Sequence, residues 1–410
     1  MPMPNDDRLE KITLLVGGHA YSDWKTYRID SDFLKAADAW QLSLGITDGV
    51  FNVDAVRGAP VKVKMGDDVV LSGRIDTVTR DVSRKGITLS LSGRDEGGIL
   101  IDCAAPVFSA RQLNLSEVIS SVVRPLGITR VRIQADNMIR SDRIQTEPGE
   151  RAWDTVMKAA GSRGLWPWFA PDGTLIIGGP DYDKPPVADL ILTRSGDGNN
   201  LISLSETRNI QGCFSELTLL AQSHASTTKN KKLQTKPVDV SRSAQTFRIS
   251  TESDEDTGAD DGQSGTHNMR IKIGDPSVPY YRPQIITAGD VDNPAQLQYR
   301  AKKAMADARL SGLDITAEVF GHRTDKGELW EPGQRVRIKS ELHGIDGIFF
   351  LMGRTFTGGR PGGPVTQLRF KEDGVWIPDV YTQKAKNKKG KKKKGKDQIR
   401  PVALTADGGK

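Results

Sequence analysis

The chain has 410 residues, enough at roughly 150 residues per domain for two or three domains. Hydrophobic residues make up 37%, and no apolar run approaches the roughly 18 residues that cross a bilayer, which excludes wholesale disorder and membrane insertion by a helix. The net charge of +6 suggests a polyanion binder until it is located: 384–396 holds nine lysines and no acid, so the rest of the chain carries a net −3.

Short alternating runs punctuated by Gly, Pro and Asp predict a β-rich chain, and the 42 glycines fit many turns. The run 12–16 ends at Gly17-Gly18. Trp40, Leu42 and Leu44 alternate with polar residues, as one buried strand face requires. Strands at 61–64 and 69–80 flank the turn Gly66-Asp67-Asp68, and 87–92 alternates strictly. Residues 1–101 are therefore expected to form a first β-barrel domain.

Residues 102–184 change character and predict an α/β insert. Asn114 caps a helix with Glu117 three residues on, and Leu115, Val118, Ile119 and Val122 follow at helical spacing before Pro125. A second helix is expected from Pro148, with Trp153, Val156, Met157 and Ala160 on one face and Gly164 as its stop. Strands at 165–170 and 174–177 then flank the turn Pro171-Asp172-Gly173.

Residues 185–382 read as a second β-barrel domain with long loops at 222–237 and 241–280. The stretch 252–261 concentrates six acids with no apolar side chain larger than Ala259, a composition that cannot bury itself. Calcium binding at Asp254-Glu255-Asp256 lacks the bidentate Glu of an EF-hand, because the twelfth position is Gly265. A helix over 294–311 is capped by Asn293, carries the stripe Leu297, Ala301, Ala304, Met305 and Ala308, and stops at Gly312, so it is expected to lie close against a sheet. Strands return at 314–320, 335–339, 347–357 and 365–370, and 383–410 reads as a Lys-rich disordered tail. The fold class expected is β-rich α+β: two similar small antiparallel β-barrels, an intervening α/β insert and a disordered C-terminal tail.

The similarity of the barrels rests on an internal resemblance. Pro60-Val61-Lys62-Val63-Lys64, Leu71-Ser72-Gly73-Arg74-Ile75 and 87–91 find counterparts in Pro332 to Lys339, Leu351-Met352-Gly353-Arg354-Thr355 and 366–370. Both series run from a Pro entry through an alternating basic strand and a Gly-Arg strand to a second alternating strand.

Chemistry is scarce. His19, His224, His267, His322 and His343 form no metal-spaced pair, and Cys103 and Cys213 offer neither a disulfide framework nor a zinc site. The start of the chain lacks the basic and apolar regions of a signal peptide, so a reducing cytoplasm is expected. Gly262-Gln263-Ser264-Gly265-Thr266 misses the nucleophile elbow by one position. The run from Gly390 fails as a phosphate loop because Asp397 stands where Ser or Thr must hold magnesium. No catalytic, cofactor or metal residue is nominated. Lys388, Lys389, Lys391, Lys392, Lys393, Lys394 and Lys396 are candidates for a salt-sensitive polyanion or partner contact, without the aromatics that stack bases.

Pro148-Gly149-Glu150-Arg151-Ala152-Trp153-Asp154, leading through Gly164-Leu165 to Asp172-Gly173-Thr174-Leu175, resembles the P-G-E…R-G-L…D-G-x-L core of phage Mu-type baseplate hub proteins. These are related to late-control D proteins and to the T-even phage hub. Trp40-Gln41-Leu42, Ser92-Gly93-Arg94-Asp95, Tyr281-Arg282-Pro283 and Trp330-Glu331-Pro332-Gly333 extend the resemblance over about 10–380. It implies a non-enzymatic late structural protein of the virion tail baseplate, assembled in the host cytoplasm. Its expected partners are two further copies in a homotrimer, the tail tube protein, the central spike protein and other baseplate proteins. The pseudo-six-fold ring would enclose a channel for DNA transit without specific binding. A tail-associated cell-wall hydrolase and a nucleic-acid-binding tail protein using the lysines are the competing readings.

Overall fold

The computed structural model describes residues 9–22, 24–46, 56–84, 86–107, 109–110, 113–134, 140–141, 144–221, 248–252, 269–288, 291 and 294–375. Period-two burial builds its largest element. In Ile12–Val16, Pro60–Met65 and Gly86–Asp95 alternate residues such as Leu14, Val63 and Leu91 are buried, while those between reach the surface. Gly17 and Gly18, with φ of 59° and 83°, make the tight turn into His19–Tyr21 that a side chain would strain.

Among the described residues, such strands join into one 13-stranded sheet made of two six-stranded sets, with His19–Tyr21 added at the outer edge of the first. The first set runs Ile12–Val16, Pro60–Met65, Asp68–Ser83, Gly86–Asp95, Ala39–Ile46 and Thr26–Asp32 across the sheet. The second runs Ala188–Leu192, Arg335–Ser340, Ile345–Gly359, Val365–Glu372, Leu313–Phe320 and Ser203–Arg208. Numbered by chain order within each set, both read 1-4-5-6-3-2.

The registers coincide as well. Asp68–Ser83 shifts against Gly86–Asp95 between Ile75 and Thr77, and Ile345–Gly359 shifts against Val365–Glu372 between Leu351 and Gly353. The bulged residues are thus Asp76 and Met352. Counting from them, Val61 faces Gly73 as Val336 faces Phe349, Trp40 faces Gly93 as Ile315 faces Phe370, and Ile29 faces Trp40 as Glu206 faces Ile315. Even an irregular bond repeats: the Lys25 amide donates to the Ser43 carbonyl, and the Ile202 amide to that of Glu318. Two features break the likeness: Ile12–Val16 pairs antiparallel and Ala188–Leu192 parallel to its neighbour, and His19–Tyr21 has no counterpart among the described residues. The bulges also move the Gly-Arg match: Gly73 corresponds to Phe349 and Gly353 to Thr77, four residues from the alignment that the letters suggest.

The two sets share one hydrophobic core, in which Ile29, Trp40, Leu42 and Leu91 lie in a single cluster with Ile315, Leu351, Phe356, Leu368 and Phe370. Each such side chain contributes about 1.5–3 kcal/mol on burial.

Between the sets lies an α/β unit with its own core. Asn114 and Glu117 form the expected reciprocal cap on Leu115–Val123. The second helix begins at Ala152, not near Pro148, because Gly149 turns at φ 85° and keeps the preceding residues out of the helix. Its buried face is Ala152, Thr155, Val156, Ala159 and Ala160; Trp153 and Met157, expected on the same face as Val156 and Ala160, are only partly buried. Val131–Ile133, Leu175–Gly178 and Trp166–Phe169 form a three-stranded sheet in that order.

Between Ser203–Arg208 and Leu313–Phe320 a further unit is inserted. Arg248–Glu252, Met269–Gly274, Glu216–Ala221 and Pro283–Ala288 form a four-stranded sheet, covered by the helix Pro294–Leu310 through Leu297, Ala301 and Met305. The range 241–280, expected as a loop, therefore holds two strands; its short apolar alternation, Met269, Ile271 and Ile273, finds partners only in tertiary contact. The proposed cap Asn293, the loop 222–237, residues 253–261 of the acidic stretch and the tail 383–410 lie outside the described residues.

Candidate functional site at the seam between the strand sets

The two sets meet where residues 353–359 of the long strand Ile345–Gly359 pair antiparallel with Thr26–Asp32. The backbone must come close here. A Cβ at Gly358 would run into the Tyr27 ring, and one at Gly359, where φ is 128°, would run into the backbone of Lys25 and Thr26, so a side chain at Gly359 does not fit without moving that strand.

Arg354 lies at the centre of the seam and is fully buried. It donates from Nε to the Trp330 carbonyl at 3.1 Å and from its two Nη atoms to the Ile29 and Val70 carbonyls, each at 3.3 Å. Its plane rests 3.8 Å from the Phe356 ring centroid. One guanidinium therefore ties backbone from both sets, as its planar fork of donors allows. Burial brings it down to about 10, with Asp38, Glu331 and Asp30 pulling the other way, so it stays charged at neutral pH. Asp38 accepts the Asp32 amide at 2.8 Å. Burial pushes its carboxyl up to about 6 against the pull of Ser31 and Arg354. Asp95 is buried nearby and held well above the carboxylate range, by burial first and the Asp38 charge second. Arg369 and Asp32 form an ion pair across the seam.

His322 is the most buried of the described histidines, and it is structural. Nε2 meets the Tyr27 hydroxyl at 2.8 Å, Nδ1 meets Thr366 Oγ1 at 2.8 Å, and Phe356 packs 4.5 Å away between ring centroids. Burial, then the Arg354 and Arg323 charges, lowers it to about 3, so the ring is neutral. His19 is exposed beside Tyr21, and His343 bonds Ser340 at 2.9 Å. Cys103 and Cys213 are both free thiols. Among the described residues no group of three or more His, Cys, Asp or Glu could hold a metal. His224, His267, the Ser264 loop, the acids 254–256 and Lys388, Lys389, Lys391, Lys392, Lys393, Lys394 and Lys396 lie outside the described residues.

The P-G-E motif also serves structure. Glu150 accepts from the Thr155 hydroxyl at 3.0 Å and the Glu147 amide at 3.2 Å, and pairs with Lys158 at 2.9 Å, fixing the helix start.

A chain whose most buried charges fasten strands to strands resembles an assembly part, and the comparisons agree. Residues 11–95 match the family "Mu phage baseplate assembly protein GpP-like, N-terminal", 97–179 "Baseplate hub protein gp44-like, second domain", 255–305 "Tail protein NMB1110-like, third domain" and 307–375 "Tail protein, C-terminal domain". The crystal structure of the tail protein from Neisseria meningitidis MC58 shares 35% identity at a TM-score of 0.72, over 90% of this chain and 98% of that one. The chain belongs to the phage baseplate hub and tail protein family. Baseplate hub protein gp44 of Escherichia phage Mu is 23% identical over 340 residues, covering 82% of this chain and 80% of that protein. The 43 kDa tail protein of prophage MuSo2 from Shewanella oneidensis has the same fold, with a TM-score of 0.70 at 20% identity over 90% of this chain and 100% of that one. These hub-family relatives are structural components of baseplates and tails, and the β-rich fold with a large antiparallel sheet fits that role.

Proposed function

We propose that this hub-family chain is a non-enzymatic baseplate hub whose two strand sets are two copies of one barrel-like module, so that three chains present six similar modules in a ring. The observation that carries the reading is the repeat of strand order, bulge position and register in the two sets. In a three-fold ring of doubled modules, one face approximates the six-fold symmetry of a tail tube while the other stays three-fold for a central spike. DNA would transit the enclosed channel without base-specific contact. The virion baseplate is the expected location, with assembly in the host cytoplasm. The lysines after Gln383 would make a salt-sensitive polyanion or partner contact.

The test is the mass and symmetry of the purified full chain. A ring of three times the 44.8 kDa chain mass, seen by light scattering at high concentration and by negative stain down its axis, is expected. A particle that stays monomeric, or clears peptidoglycan in a zymogram, would overturn the reading.

A further inference from the structure

The repeat exposes an asymmetry within the chain. Residues 353–359 are paired along one edge with Thr26–Asp32, and 353–357 also along the other with Val365–Glu372. Their counterparts by the bulge register, 77–83, pair with Gly86–Asp95 on one side, and among the described residues no strand lies along the other. The counterpart of Thr26–Asp32 is Ser203–Arg208, which is likewise an outer strand of the sheet, bound among the described residues only to Leu313–Phe320. Each chain thus has one joint made internally and both halves of a second joint left open at opposite ends. Exposed strand edges of this kind are templates for pairing with another chain.

We propose that residues 77–83 of one copy pair antiparallel with Ser203–Arg208 of the next, reproducing between chains the joint that 353–359 makes with Thr26–Asp32 within one. The inference rests on the ring reading and gives it a specific interface. Transferring the internal register places Val78 opposite Arg208, Thr79 opposite Thr207, Arg80 opposite Glu206, Asp81 opposite Ser205 and Val82 opposite Leu204.

Backbone phase supports this register independently. Only two residues join Ser83 to Gly86, so that pair is hydrogen-bonded, and alternation turns the peptide groups of 78, 80 and 82 towards the open edge. On the other strand, the Asn209 amide bonds the Gly312 carbonyl at 2.8 Å, which by the same alternation turns 204, 206 and 208 outward. These are the residues placed opposite one another. The internal joint has the same phase, flanked by the Phe33 amide on the Met352 carbonyl and the Arg360 amide on the Lys25 carbonyl, each at 2.9 Å.

Side chains agree too. Val82 is 73% exposed and would meet Leu204, while Arg80 would meet Glu206. Sliding by two residues one way sets Arg80 against Arg208; sliding the other way sets Val78 against Glu206. The first puts like charges directly opposite, and both part Arg80 from Glu206.

The test uses the full chain with Thr79→Cys and Thr207→Cys. This is a non-hydrogen-bonded pair in the proposed joint, where Cα atoms approach to about 4.5 Å, within disulfide reach. Oxidation is expected to give covalently linked trimers on a denaturing gel. The single variants and the offset pair Thr79→Cys with Ser203→Cys are expected to give none. Arg80→Glu and Glu206→Arg should each weaken trimer association at least about tenfold, and the double variant should restore it. A trimer by light scattering that does not cross-link, or a double variant as weak as either single one, overturns the joint and leaves the ring reading standing. A monomer at every concentration overturns both.

Discussion

One stretch of strand is handled in two ways in the two halves of this molecule. At 353–359 it carries Arg354 and Phe356, buried against Ile29 and sealed by the neighbouring strand. At 77–83 the corresponding positions hold Val78 and Arg80, flanked by Thr77, Thr79, Asp81 and Ser83, and most of these side chains reach solvent. A joint that closes during folding can use aromatic packing and a desolvated guanidinium, because its partner strand is always present. An edge that must wait for another molecule has to stay soluble meanwhile, and charged and hydroxyl side chains on an edge do that. The same architecture therefore has a dry version and a wet version.

The sharpest way to break the dry joint is Arg354→Met. It removes donors from three carbonyls at once and takes from Asp38, which also feels the Asp95 carboxyl, the positive charge of Arg354. A loss of about 3–5 kcal/mol is expected, read from urea unfolding. Arg80→Met at the wet position should cost an isolated chain well under 1 kcal/mol. Equal losses at both sites would contradict the contrast between the two edges.

The halves also explain what could be seen in the letters. Alternation at 87–92, the Asn114–Glu117 cap and the alanine-rich stripe of Pro294–Leu310 are local, so hydrophobic period and capping chemistry declare them. The existence of a repeat was legible for the same reason. Its register was not, because a bulge inserts one residue without any letter marking it, and the Gly-Arg coincidence at 73–74 and 353–354 misled by four positions. The seam was invisible: Arg354 finds the Ile29 carbonyl across 325 residues of chain, a contact that only the closed sheet creates. The four-stranded unit hid similarly, since Pro283–Ala288 is largely exposed and pairs in parallel with a strand far upstream.

The seam also sets a pH response with two opposed parts. His322 sits near 3 when folded, below an ordinary imidazole, so between about pH 6.5 and 3 the unfolded chain binds a proton that the folded one refuses. Stability from that term is full above pH 6.5 and lost as pH falls. Asp38, raised to about 6, binds its proton earlier in the folded state, so its term runs the other way between about pH 6 and 4 and partly offsets the first. Each pH unit of difference corresponds to at most about 1.4 kcal/mol. In His322→Gln the acid-side loss should shrink by a few kcal/mol; in Asp38→Asn it should steepen. Thermal unfolding from pH 4 to 7 separates these signs, and parallel curves for all three proteins would remove the seam from the acid response.

The smallest effect belongs to Val82, which the repeat makes equivalent to Gly358. In the closed joint, Gly358→Val forces a branched side chain into the Tyr27 ring and should displace it, breaking the 2.8 Å bond between Tyr27 and His322. In the open edge, Val82→Gly deletes a side chain that is 73% exposed and touches no core cluster, so the isolated chain should change by about 1 kcal/mol at most, the backbone cost of a strand glycine. The exchange becomes informative on assembly. If 77–83 meets Leu204 of another copy, Val82→Gly loses apolar burial only when the trimer forms, so its deficit appears in the dependence of mass on concentration and not in the unfolding curve of dilute protein. A deficit of the same size in both measurements would mean that Val82 already has its partner within the single chain, and the two edges would then differ in composition but not in purpose.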